Sequence, residues 1–597
     1  MAPRANPFPR RPELAAALLC AIAALLTLAF ILLNGVNVPF ADEWWYAGLV
    51  KSVGSGQASL MDFWSPNNEH RMLIPRLEFS TLAVLTHWNS KLIMIVAWLV
   101  IGIAMIFLFS QFRMLCSRAH PILWTVSVGV SAIALFSLVQ LENWLWAFQF
   151  AFFFIQFAVV ASLMVLCRSG LSLWFRLLTV TVLAIAASFS SAQGLLVWPV
   201  LILSLFLTND SLKNKVIGVS CLLVFAGVTF AFYVYGLPHS GELQLRADQV
   251  RAKPQLPLFG FLGLVGNPLA YWISFEHRPH RAWFIGLSEI IVFLFLTWIV
   301  IRRRKLPEAA FWLGLAGYAY FFCLATTYGR LGMGYTGGFL SSRYTTHVTL
   351  LSIAISGLLL VALGHSEHHS TRDKSWLNRA RIPATCCLTF GLGTLLAIGD
   401  IQAFQSGAIE KRDRSLAKQL IPFFAYFDPD VDGTVTGPFY PLYPLRCAKI
   451  VDIGLKRLSE EGYFRQLHPA GFVDCGSAVT GSYSIAERLA EQRYLGIVEQ
   501  GWTLSGTATF EFSADLIFVR PVGQDAFIAA TLLQRIPHTD QPGYRYQWRL
   551  FLTPFIIPDP GVPLEMWVFH KRSNEFIKVQ QSSEPCKEVD NSRKQGD

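Results

Sequence analysis

Residues 14–50 read LAAALLCAIAALLTLAFILLNGVNVPFADEWWYAGLV, an apolar run over 14–33 that ends in a paired acid, Asp42-Glu43, set among Trp44, Trp45 and Tyr46. At 1.5 Å per residue, about 20 apolar residues cross the roughly 30 Å hydrocarbon core of a bilayer. Arg4, Arg10 and Arg11 precede the run and place the amino terminus in the cytoplasm. No small-x-small cleavage site follows it, so it is expected to remain as an uncleaved signal anchor.

The rest of the chain repeats the pattern. Of 597 residues, 53% are hydrophobic and only 15% charged, too few to cover a soluble globule, which excludes a purely cytosolic enzyme. Apolar runs recur at 92–110, 121–139, 147–166, 174–189, 193–207, 216–236, 284–301, 308–327, 345–363 and 384–403, for eleven expected spans. Arg113, Arg118, Arg168, Arg176, Lys213, Lys215, Arg302 to Lys305, Arg372, Lys374, Arg379 and Arg381 fall in alternate loops, the cytoplasmic ones. The stretch 72–88 carries Arg76 and Glu78, which are expensive inside a bilayer, so it is expected to lie in the interface as an amphipathic helix, with Asn67 as a candidate cap.

Charge divides the chain near residue 403. The first 403 residues hold 28 basic and 16 acidic side chains, the last 194 hold 21 and 23, or about 11% against about 23% charged. The expected fold is therefore a polytopic α-helical membrane domain over 1–403, with a first outer loop at 34–91, followed by a soluble α+β domain over 404–597. Eleven crossings put that domain outside, periplasmic in a bacterium. Within it, 406–499 is expected to be helical, with helices at 406–466 and 484–499. The runs TATFEF (507–512), LIFVRPV (516–522), AFIAATLLQ (526–534), YRYQWRLFL (544–552), LEMWVFH (564–570) and EFIKVQ (575–580) suggest an antiparallel β-sandwich within 500–582. Cys447 and Cys475 either pair as a disulfide or remain free thiols, with Cys586 left over.

Several residues on the outer side can carry chemistry. Asp42 and Glu43 are either solvated acids of an aromatic belt or catalytic carboxylates, one of which, against aromatic walls, could serve as a general base at the membrane surface. Glu69, His70 and Arg71 stand consecutively in WSPNNEHRMLIPRL, a set able to bind phosphate, orient a sugar hydroxyl or hold a cation. LENWLWAF (141–148) adds Glu142 and Asn143, and TYGRLGMGYTGGFLSSRYTTH (327–347) adds Arg330, Arg343 and Tyr344. The Gly332-x-Gly334-x-x-Gly337 pattern in that loop lies between two spans without a βαβ unit and is not a dinucleotide fingerprint. His365, His368 and His369 read as a solvated cytoplasmic charge run. Walker, HExxH, GxSxG and CxxC motifs are absent, and no exposed basic face marks a nucleic-acid partner.

On these residues the chain resembles the GT-C superfamily of integral-membrane glycosyltransferases, including protein O-mannosyltransferases, the lipid A aminoarabinose transferase and uncharacterised bacterial members. The resemblance lies in the cytoplasmic amino terminus, the paired acids after the first span and a long first outer loop with an interfacial helix. Where many members carry His-Pro, this chain has Asn68-Glu69-His70-Arg71. The resemblance implies transfer of a sugar, with inversion, from a polyprenyl-phosphate donor to a glycan, lipid or protein acceptor at a bacterial inner membrane. Asp42 would be the base, Glu43 or Glu69 an orienting group, and Arg71, Arg330 and Arg343 partners of the departing phosphate. Some members use a divalent cation, for which Asp42, Glu43 and Glu69 are the candidate ligands. A lipid or polysaccharide transporter, or a non-catalytic envelope assembly protein, is the alternative; a transporter predicts several charges in mid-span, where Glu289 is the clearest case.

Overall fold

The computed structural model describes residues 10–67, 70–237, 242–273, 277–333, 339–363, 376–427, 457, 471–473, 479–494, 497–510, 513–536, 544–552 and 563–581. The chain is a polytopic α-helical membrane protein with a β-rich C-terminal region. It divides into two compact units, Met1–Gly35 with Ala58–Ala408, and Val36–Gln57 with Ile409–Asp597.

Nine helices among the described residues are long and apolar enough to cross a bilayer: Arg11–Asn34, Ser90–Leu115, Pro121–Trp144, Ala147–Leu166, Leu212–Val234, Arg278–Arg302, Leu306–Arg330, Ser342–Leu363 and Cys386–Phe424. They coincide with nine of the eleven expected spans. The other two, 174–189 and 193–207, are the shorter helices Leu173–Ser188 and Ala192–Leu207. The first of these, at about 24 Å, falls short of a full hydrocarbon core.

Residues 256–270, expected within an outer loop, form a further apolar helix, Leu256–Ala270. Its sequence, LPLFGFLGLVGNPLA, has Gly266 where the backbone of Arg278–Arg302 approaches closely. A Cβ on Gly266 would lie 2.1 Å from the Ala282 carbonyl oxygen, and one on Gly286 would lie 2.2 Å from that of Leu262. Small residues on both surfaces are what permit such a crossing.

The amphipathic stretch forms the helix Leu73–Leu85. Its length, about 20 Å, is too short to span alone. Met72, rather than Asn67, occupies its N-cap, and Asn67 instead pairs backbone to backbone with His70.

In the C-terminal unit, helix continues only to Leu420 and passes into a 3-10 turn at Ile421–Tyr426. The expected helix 484–499 is replaced by strands: β2 (Val479–Tyr494) pairs antiparallel with β3 (Ile497–Phe510), with a register shift between Ala486 and Ala490. Helix-forming residues such as Ala490, Glu491 and Gln492 mark the local preference, but pairing along two long strands overrides it. Most of the expected 406–466 helix, with the Pro438 to Pro444 cluster, lies outside the described residues, as do Cys447, Cys475 and Cys586.

Among the described residues, ten strands make two five-stranded sheets. Besides β2 and β3 they are β1 (Gly471–Val473), β4 (Leu516–Pro521), β5 (Ala529–Leu532), β6 (Gln534–Ile536), β7 (Tyr544–Leu552), β8 (Leu564–His570), β9 (Glu575–Lys578) and β10 (Gln580–Gln581), in the orders β1-β9-β8-β4-β5 and β10-β2-β3-β7-β6. The sheets are mixed rather than purely antiparallel, because β1 runs parallel to β9 and β10 parallel to β2. Ile517, Val519, Val568 and Ile577 of the first sheet share one core with Phe510, Tyr546 and Trp548 of the second, which makes the pair a sandwich. The alternate residue Phe518 points to the opposite face and meets Phe423, Phe527 and Phe576 at ring separations of 5.1 Å.

Candidate functional site

The paired acids lie in a 3-10 helix, Ala41–Tyr46, grouped with the C-terminal unit. Ala41, directly before Asp42, has φ 49°, a left-handed backbone that costs a residue with a Cβ about 1 kcal/mol or more. Glu43 is 1% exposed, and its Oε2 accepts the backbone N–H of Phe40 at 3.3 Å, which holds the turn closed. Asp42 is half-buried. Trp44 and Tyr46 turn inward, while Trp45 stays 57% exposed. Beneath them the Arg414 guanidinium stacks 3.6 Å from the Phe40 ring centroid and donates to Glu410 Oε2 at 2.5 Å. This buried pair was not singled out in the sequence because Glu410 and Arg414 sit in an ordinary charged run.

The membrane unit gathers the other outer segments. Residues 140–146, expected as a loop between two spans, are buried throughout. Glu142 Oε2 accepts Ser341 Oγ and the backbone N–H of Arg343, the latter at 2.8 Å. Asn143 Nδ2 donates to the Arg343 carbonyl at 2.8 Å and to Thr346 Oγ1 at 2.7 Å. The Arg330 and Arg343 guanidinium carbons stand 5.8 and 5.3 Å from the centroid of the same Tyr344 ring. The structure thus brings Glu142, Asn143, Arg330, Arg343 and Tyr344 together, with two cations sharing one aromatic ring.

Arg71 and His70 have different neighbours. Arg71 is 3% exposed, and its guanidinium donates to the carbonyl oxygens of Trp64 at 2.6 Å, Tyr233 at 3.3 Å and Tyr235. Burial lowers its pKa from the ordinary arginine value. His70 Nδ1 accepts the Ala192 N–H at 3.4 Å, which leaves the proton of the neutral ring on Nε2. Both residues therefore tie the first outer loop to segments more than a hundred residues downstream. Glu69, and His365, His368 and His369, lie outside the described residues.

A divalent cation needs several oxygen ligands converging on one point. Among the described residues no group of three or more His, Cys, Asp and Glu side chains could hold a metal ion. Glu43 spends its carboxylate on Phe40. The described residues do not fit a bound cation, and no step is assigned to one.

Two groups beside the Glu142 cluster, the half-buried Asp400 and the buried His347, escaped the sequence reading. Asp400 Oδ1 accepts Ser137 Oγ at 2.6 Å and the backbone N–H groups of Leu138 at 2.7 Å and Val139 at 3.3 Å, capping the turn that begins the buried loop. His347 is fully buried against Phe152, Tyr318 and Phe322, and neither ring nitrogen has a hydrogen-bond partner among the described residues. Both were visible as polar residues inside apolar runs, the signal that should have marked them.

The fold and these buried polar clusters define a multi-pass helical membrane protein carrying a mixed β-sandwich. No protein-family model matches the sequence, and no curated protein does. The chain is similar to two solved structures of ArnT from Cupriavidus metallidurans. With the apo state it shares 14% identity at a TM-score of 0.37, over 74% of this chain and 88% of that one. With the form bound to undecaprenyl phosphate it shares 12% identity at a TM-score of 0.33, over 74% and 77%.

Proposed function

We propose that the chain is an inverting glycosyltransferase of the bacterial inner membrane, moving a sugar from a polyprenyl-phosphate donor to a glycan, lipid or protein acceptor on the periplasmic side. The observation that carries this reading is the strained Ala41 backbone, which holds the Asp42-Glu43 pair just beyond the first span. Strain of this kind persists where surrounding structure enforces it, and it concentrates at functional sites.

In this reading Asp42 takes the proton of the acceptor hydroxyl as its oxygen attacks the anomeric carbon from the face opposite the phosphate. The bond from that carbon to the phosphate oxygen breaks, and polyprenyl phosphate leaves with the electron pair. Glu43, engaged with Phe40, positions Asp42. Arg330 and Arg343 stabilise the charge growing on the phosphate, where preorganised cations contribute most. Arg71, whose donors meet carbonyl oxygens, shapes the loop around the donor. The amino terminus is cytoplasmic and the sandwich is periplasmic, where it binds acceptor.

The test is deletion of the gene in its host, with complementation by wild type or Asp42→Asn at equal membrane abundance. Envelope glycans and polyprenyl-phosphate sugars are then compared by mass spectrometry. Loss of a general base should slow transfer by about 10²- to 10⁴-fold, so the glycan stays unmodified and the lipid donor accumulates. Full restoration by Asp42→Asn would sink the assignment.

A further inference from the structure

A second site lies within the membrane unit, built from residues that the proposed reaction does not use. Glu289 sits near the middle of the helix Arg278–Arg302, about 16 Å along it from Arg278. Its side chain lines a cavity of about 370 Å³ together with Leu269, Val292, Ile355 and Leu392. Glu289 is 6% exposed. One carboxyl oxygen, Oε1, receives Ser352 Oγ at 3.4 Å, while Oε2 has no hydrogen-bond partner among the described residues. An unmet buried carboxyl oxygen is costly, and at this depth water cannot supply the missing bond.

The cavity opens sideways. Phe284, 70% exposed, and Cys387, also exposed, stand at its edge on spanning helices, so an occupant arrives through the hydrocarbon of the bilayer. Its volume suits a small-molecule site. The depth of Glu289 excludes a phospholipid headgroup, which remains at the interface. A hydrocarbon chain alone would fill the space and leave Oε2 bare. A hydroxyl both donates and accepts, so it satisfies that oxygen in either protonation state of the acid.

We propose that this groove binds a neutral membrane lipid bearing a hydroxyl within its apolar body, with that hydroxyl bonded to Glu289. The site is separate from the proposed transfer chemistry and stands or falls independently of it.

The test uses the full-length protein in phosphatidylethanolamine and phosphatidylglycerol nanodiscs, photolabelled with a sixteen-carbon secondary alcohol carrying a terminal diazirine. The hydrocarbon of the same length with the same diazirine is the control, and labelled peptides are mapped by mass spectrometry. Labelling within 284–295 and 387–395 is expected to favour the alcohol roughly fivefold, the size of one net hydrogen bond. Glu289→Leu should equalise the two probes, whereas Glu289→Gln, which keeps a hydrogen-bonding head, should retain a preference. Gly391→Leu should weaken both signals by narrowing the groove; a Cβ there meets no heavy atom within 4 Å. Equal labelling by the two probes in wild type, an alcohol preference that survives Glu289→Leu, or labelling unaffected by Gly391→Leu would each overturn the proposal.

Discussion

Glu142 accepts the backbone N–H of Arg343 at 2.8 Å, a contact between residues 201 positions apart that ties Glu142 to the start of the helix Ser342–Leu363. The same carboxylate takes Ser341 Oγ, so one buried acid satisfies two donors on the segment that carries Arg343 and Tyr344. Glu142→Ala should strand both donors and lower stability by about 1–3 kcal/mol per unmet group, with Glu142→Gln milder. Thermal unfolding in detergent reads the difference. Equal melting temperatures for wild type and Glu142→Ala would show that the two loops are held by other contacts.

Arg71 acts as a strut in this structure because its guanidinium is spread over three carbonyl oxygens. An ammonium has the same charge without the planar fork. Arg71→Lys is therefore expected to loosen the first outer loop, seen as faster limited proteolysis between residues 55 and 72. If Arg71→Lys leaves proteolysis unchanged yet weakens donor binding, its charge matters more than its geometry.

The Arg176–Asp210 pair offers a pH test. Arg176 donates to both carboxylate oxygens, at 2.9 and 2.6 Å, and Thr208 adds a bond at 2.7 Å. The Arg176 hydrogen bonds lead in holding Asp210 below the ordinary carboxylate range. A depressed folded pKa means the stabilisation is present above the unfolded value of about 3.9 and is lost as pH falls through the lower folded value. The gap in unfolding temperature between wild type and Asp210→Asn should stay constant from about pH 8 to 5 and shrink below about pH 4. Removal of Arg176 alone should cost about 3 kcal/mol by leaving the acid without its partner.

Phe518 joins the 3-10 turn after the long C-terminal helix to the first sheet through Phe423, Phe427, Phe527 and Phe576. It is fully buried. Phe518→Ala should cost about 3–5 kcal/mol and expose the sandwich to trypsin in the full-length protein. Retained protection would mean that the neighbouring rings collapse into the space.

Nine spans were legible because an apolar run of about 20 residues has one stable answer in a bilayer. The strands 516–521, 544–552 and 564–570 were legible from alternation and aromatic content, and each appears with nearly the expected bounds. The helix expected at 484–499 was misread because residues such as Ala490, Glu491 and Gln492 favour helix locally, whereas their strand identity comes from a partner strand. Leu256–Ala270 was missed as a helix because its glycines read as loop signals until a second backbone was there to pack against.

The candidate site divides along the same line. Residue type and position in the chain were enough to single out Glu142, Asn143, Arg330, Arg343 and Tyr344 as polar groups at span ends, and hydropathy determined by itself that this is a membrane protein with a soluble-type tail. Only the tertiary structure decided that these five residues form one cluster, that Arg71 serves carbonyl oxygens, and that Glu43 closes a turn beside Asp42. Hydropathy is a property of each segment alone, so the sequence carries it in full. A hydrogen bond between residues two hundred positions apart exists only after the intervening helices have packed.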